Sequence, residues 1–148
     1  MALPMPAKGK LDILKKGVVI PASPLALDAN RKLSERHQAA LCRYYVAAGA
    51  GGVAVAVHST QFEIREPGID LLVPVLRLAG ATIDEAAGKA GRSVFKIAGV
   101  CGKTAQAAGE ARLAADLEYD AVLLSLGALR QAAEDELIEH CRAVSEIM

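Results

Sequence analysis

The stretch GGVAVAVHSTQFEIR, residues 51–65, changes character in its middle: the apolar run Val53 to Val57 leads directly into His58, Ser59 and Thr60. Alternating small and branched apolar residues are the mark of a β-strand. Gly49, just ahead, stands where a preceding helix would end. The polar end is then either a reactive site or the place where a strand leaves the core.

Working outward, Leu33, His37, Ala40, Leu41, Tyr44, Tyr45 and Ala48 recur at helical spacing, which makes the two tyrosines packing residues and His37 a boundary residue. Before them, GVVIPASPL (17–25) is a short β-rich run confined by its prolines. Residues 1–16 read as a flexible extension. Downstream of Pro67 and Gly68, residues 70–90 carry a helical pattern of Leu, Ala and Val that Pro74 and Gly80 interrupt. SVFKIAGV (93–100) predicts a strand, and Thr104 is placed to cap an alanine-rich helix ending near Leu117. DAVLLSLG (120–127) predicts another strand. A last helix has Glu134, Asp135 and Glu136 at its positive end and Leu137, Ile138, Cys141, Val144 and Ile147 on its apolar face.

Four strands, each followed by a helix, within one domain over 1–148 predict a parallel α/β sheet with right-handed crossovers. An open doubly wound sheet and half of an eight-stranded barrel both satisfy that pattern.

Composition narrows the function. Seventeen basic and seventeen acidic residues cancel, and there are only five aromatics (three Tyr, two Phe), so both the charge and the stacking surface of a nucleic-acid binder are missing. Cys42, Cys101 and Cys141 are odd in number and contain no Cys-x-x-Cys pair, which argues against a disulfide framework and a zinc site. No metal or other cofactor is expected. The N-terminus lacks the apolar core of a signal peptide, and no apolar run approaches the roughly 20 residues of a membrane span, so a cytoplasmic protein without membrane partners is expected.

GVCGKT (99–104) imitates a phosphate-binding loop, but the position five residues before Gly102 is Ile97 rather than glycine. A lone anion at that helix start is a less demanding alternative. Strand alternation, with the bulkier faces turned to the helices, predicts that His58, Lys96 and Ser125 gather toward a common interior at the C-terminal ends of the strands. Lys96 within a strand is either a desolvated amine nucleophile or a structural cation with a carboxylate partner.

Taken together, VVIPASPLALDAN, GAGGVAVAVHST, GRSVFKIAGV and DAVLLSLGALRQAAEDELIEHCRAV resemble successive landmarks of the dihydrodipicolinate synthase and N-acetylneuraminate lyase family. The resemblance spans residues 17–147. Ser23-Pro24-Leu25 stands for the family's Thr-Pro-Phe turn, Gly91-Arg92 and Ile97-Ala98-Gly99 for the residues around its third strand, and Asp120-Ala121-Val122 for the start of its fourth.

The resemblance implies a (β/α)4 half of a TIM (β/α)8 barrel. It also implies a class I aldolase-type lyase that handles pyruvate or a related 2-oxo acid through a lysine Schiff base. The family's carboxylate-binding Gly-Thr-Thr-Gly-Glu falls on Val57 to Gln61, or one residue later, which puts Ser59 and Thr60 on the two threonines; His58, Ser59 and Thr60 are the expected substrate-binding residues. Both glycines and the glutamate are lost, and Gly127-Ala128-Leu129 replaces a Pro-Tyr-Tyr. The family's catalytic tyrosine and lysine lie on its fifth and sixth strands, beyond the counterpart of Met148, so the chain is expected to be inactive alone. A homo-oligomer or a complementary half-barrel is the expected partner, because an uncovered apolar sheet face is costly.

Overall fold

The computed structural model describes residues 5–148, the side chains of Ser59 and Thr60 excepted. The helices are α1 (Lys8–Lys15), α2 (Glu35–Ala47), α3 (Leu72–Lys89), α4 (Thr104–Asp116) and α5 (Glu134–Ser145); the strands are β1 (Gly52–Val55), β2 (Phe95–Val100) and β3 (Ala121–Leu124). The sheet is parallel throughout, in the order β1-β2-β3.

The expected first strand is reduced to a bridging segment. Residues 17–25 lie along β1 through one bridge, Ala22 to Ala54. Gly51 donates to the Val19 carbonyl (3.0 Å), Ala54 to Pro21 (2.9 Å) and Ser23 to Ala54 (2.7 Å). Pro21 and Pro24 have no N–H to extend the ladder. Buried Gln38 of α2 fastens the segment instead, donating to Ser23 Oγ (3.1 Å) and the Pro24 carbonyl and accepting from the Ala26 N–H. With this segment counted, the chain repeats strand then helix four times.

Pro74 and Gly80 do not break α3. Pro74 sits in its first turn, where an N–H has no intrahelical acceptor. Gly80 packs against the ring of Tyr119, whose hydroxyl donates to the Leu76 carbonyl (2.9 Å). Residues 8–15, part of the expected extension, form α1, tied to the sheet by a Lys10–Asp120 ion pair (2.9 Å). Tyr44 is exposed rather than packed.

The register overturns the expected face assignment of β2. Val53 lies beside Lys96, Val55 beside Ala98, and Ala98 beside Val122. Side-by-side residues point the same way, so Lys96 shares the helix-covered face with the valines. Phe95, Ile97 and Gly99 face the other side with Gly52, Ala54, Ala121 and Leu123. The covered face holds the main core with Cys42, Val46, Leu76, Ala79 and Ile83. The other is wholly apolar and open toward its upper end, where Leu123 is 56% exposed.

Candidate functional site

The expected convergence of His58, Lys96 and Ser125 does not form. Lys96 is 1% exposed and runs beneath the helices to Asp84 of α3, with Nζ 2.6 Å from Oδ2 and 5.6 Å from the centre of the Tyr119 ring. It is therefore a structural cation. Bulk was a misleading guide to its face, because Phe95 is buried at the opposite end of the sheet, where it shares a cavity wall with Leu11 and Leu14 of α1.

At the C-terminal ends of the strands, β1 turns sharply through Ala56, at φ +60°. Its carbonyl crosses β2 so closely that a Cβ on Gly99 would stand 2.1 Å from the oxygen, so only glycine fits there. This crossing carries the chain into the 3-10 turn Ser59–Arg65 above the strand ends. His58, three residues past the end of β1, is half-buried at the entry, with Nε2 3.4 Å from the Ala22 carbonyl. The backbone of Ser59 and Thr60 opens the turn; their side chains lie outside the described part of the structure.

The end of this turn holds a cluster that the sequence reading missed. Arg65 Nε donates to both carboxylate oxygens of Glu110 (3.0 Å each), and Nη2 donates to the Gly99 carbonyl (2.9 Å). Glu110 also accepts from the Cys101 N–H (3.1 Å) and from Gln106 Nε2 (2.8 Å). Arg65 and Glu110 side chains are 7% and 9% exposed, and the Phe62 ring lies 5.2 Å from the guanidinium carbon. Burial pushes the Cys101 thiol up despite the opposing pull of Arg65, with Glu110 pushing the same way as burial, so it stays protonated. One signal was available: Glu110 interrupts the stripe Ala107, Ala111, Ala114 on the buried side of α4, and a carboxylate there needs a cation.

The helix start at Gly102-Lys103-Thr104 also differs from expectation. Lys103 occupies the cap position and no side chain caps the helix; Thr104 is its first residue, and its hydroxyl is 2.9 Å from Nδ1 of buried His140 on α5. A cleft of about 670 Å³ lies beside it, lined among others by Phe62, Arg65, Cys101, Gln106, Ser125 and Arg130. No group of three His, Cys, Asp or Glu residues able to hold a metal occurs among the described residues.

Solved structures of known proteins share this fold. A prophage protein of the dihydrodipicolinic acid synthase family from E. coli K12, crystallised with pyruvate, superposes with a TM-score of 0.72 at 20% identity, over 87% of this chain and 41% of its own. The 4-hydroxy-tetrahydrodipicolinate synthase of Methylacidiphilum fumariolicum SolV gives 0.70 at 17% identity, over 87% and 40%. The chain has the fold of half a dihydrodipicolinate synthase barrel. Ruminococcus gnavus sialic acid aldolase is similar as well, with 0.63 at 24% identity over 86% and 40%. The chain thus spans about two fifths of the length of these barrels. No protein-family model matches the sequence, and no curated protein matches it. Among the described residues no helix is long and apolar enough to cross a membrane.

Proposed function

We propose that the chain is the carboxylate-binding half of a class I aldolase-type lyase acting on pyruvate or a related 2-oxo acid. Ser59 and Thr60 hold the substrate carboxylate, His58 stands at the pocket mouth, and the Schiff-base lysine comes from outside these 148 residues. The observation that carries this reading is the placement of the Ser59–Arg65 turn across the C-terminal strand ends of a barrel-type sheet, where parallel α/β folds bind their ligands. The C-terminal end of the turn is held by Arg65, which bonds to Glu110 of α4 and to the Gly99 carbonyl of β2. That one similar protein was crystallised with pyruvate supports the choice of ligand.

Pyruvate titration followed by amide NMR tests the reading. Saturable shifts at residues 57–61, lost in a Ser59→Ala/Thr60→Ala variant, are expected. Their absence at tens of millimolar pyruvate would overturn it.

A second observation favours assembly with a partner half-barrel. Ser125 donates to the Val100 carbonyl (2.8 Å), so alternation turns the peptide groups of Val122 and Leu124 toward the outer edge of β3, beside exposed Leu123. A second copy or a complementary half covers this edge. Light scattering reports a dimer or complex in that case, and a stable monomer refutes it.

A further inference from the structure

The sheet has a second open edge, opposite β3, along residues 17–25. The Val19 and Pro21 carbonyls and the Ser23 N–H are taken by β1. Alternation therefore turns the peptide groups of Ile20 and Ala22 outward, and neither N–H has a backbone partner among the described residues. Pro21 withholds its donor from the β1 side, so it does not blunt this outer edge. Both edges bound one parallel sheet. A two-fold rotation about an axis along the strands keeps every strand parallel and brings residues 17–25 of each copy to β3 of the other. With the bridging segment counted, two such chains supply the strands of an eight-stranded barrel.

Charge supplies the independent observation. α2 and α5 end the helix layer, α2 packing on α3 and α5 on α4, so the same rotation brings α5 of one copy beside α2 of the other. Over residues 31–43 the exposed bases Arg31, Lys32, Arg36 and Arg43 face a single acid, Glu35. Over residues 134–146 the exposed acids Glu134, Asp135, Glu136, Glu139 and Glu146 face a single base, Arg142. Among the described residues none of the four bases is in an ion pair, and of the five acids only Glu139 is, with Arg142. Each charged helix also exposes a large apolar side chain, Tyr44 on α2 and Ile138 on α5. The net charge of zero thus conceals a basic α2 and an acidic α5 that are complementary between copies.

We propose that two copies of the chain close head to tail into an eight-stranded barrel, the edge at Ile20 and Ala22 of each pairing with β3 of the other and acidic α5 lying beside basic α2. This rests on the reading that a partner covers β3 and commits that partner to a second copy. It does not depend on ligand binding at Ser59 and Thr60. A pair of identical halves lacks the outside lysine of the aldolase reading, so the closed pair is a form without that turnover.

Light scattering of the 148-residue chain over a concentration series, with two charge-reversed variants, tests the closure. Arg36→Glu/Arg43→Glu and Asp135→Lys/Glu139→Lys should each weaken the dimer at least about tenfold, because like charges then meet at both contacts. Mixed in equal amounts, the two variants should dimerise again, since opposite charges meet at both contacts of the mixed pair; unfolded variants could not recover in this way. A parent dimer that neither reversal weakens, or variants that do not recover on mixing, would overturn the closed barrel. Amide hydrogen exchange separates this outcome from failure of the partner reading. Protection of Ile20, Ala22, Val122 and Leu124 should rise together with concentration. Protection of Val122 and Leu124 alone would leave a partner on β3 and overturn the closed pair, whereas a parent monomer with all four unprotected would overturn both.

Discussion

The two faces of the sheet are built from the same three strands and meet different fates. The covered face accepts Lys96 because α3 brings Asp84 to its amine, while the open face carries Phe95, Ile97, Ala121, Leu123 and their small neighbours and exposes Leu123. Polarity and bulk therefore fail to tell the faces apart. In a parallel sheet designed for burial on both sides, strand residues are apolar in either direction, and only the register with neighbouring strands decides.

Five measurements would break or sharpen that contrast. Leu76→Ala, beneath the covered face, should cost about 2–5 kcal/mol in chemical denaturation, as large-to-small changes in a packed core do. A loss below about 1 kcal/mol would mean that the helix layer is not a packed core. Cys42, on the same side, is pushed by burial from 9.0 to about 11, against smaller opposing effects of Gln38 and Arg43. The native state holds that proton more tightly than the unfolded chain, so its contribution is complete below pH 9 and is lost as pH rises through about 11. Stability should therefore fall by about 2–3 kcal/mol across that window, and the fall should flatten in Cys42→Ala.

Smaller effects follow on both sides. Lys96→Met should leave stability within about 1 kcal/mol of the parent, or raise it, because Asp84 is 51% exposed and water takes over its carboxylate, so no buried charge is left unpaired. Borohydride treatment with pyruvate should leave Lys96 unmodified; a mass adduct on it would contradict its place under α3. Leu123→Ala should change monomer stability by no more than about 0.5 kcal/mol, the usual range for a surface site. A larger loss that depends on protein concentration would show the open face to be covered by a partner.

Most of the architecture was legible because its elements announce themselves locally. Gly49 and the valine run from Val53 mark the passage from α2 to β1, and the acidic residues Glu134 to Glu136 mark the start of α5. α1 was missed because eight lysine-rich residues are too few to establish a period, and its anchor, Asp120, lies 110 positions from Lys10. The bridging segment was overestimated because β-rich residues conceal what Pro21 and Pro24 withhold from the ladder. The candidate site was only partly legible for the same reason of distance. β1 ends at Val55, three residues short of His58, where the sequence places the strand end, and Arg65 meets Glu110 across 45 residues. Only Glu110's place in an alanine stripe hinted at that pairing.

The crossing of Ala56 over Gly99 has a kinetic consequence. The two residues are 43 apart, and the turn that bears Ser59 and Thr60 is braced by contacts to β2 and α4, both formed from chain that follows it. Closing loops of that length slows folding far more than it weakens the final structure. The turn should therefore acquire its shape late, with the docking of β1 onto β2, and hydrogen exchange during refolding should protect Gln61 and Glu66 after the helices α2 and α3.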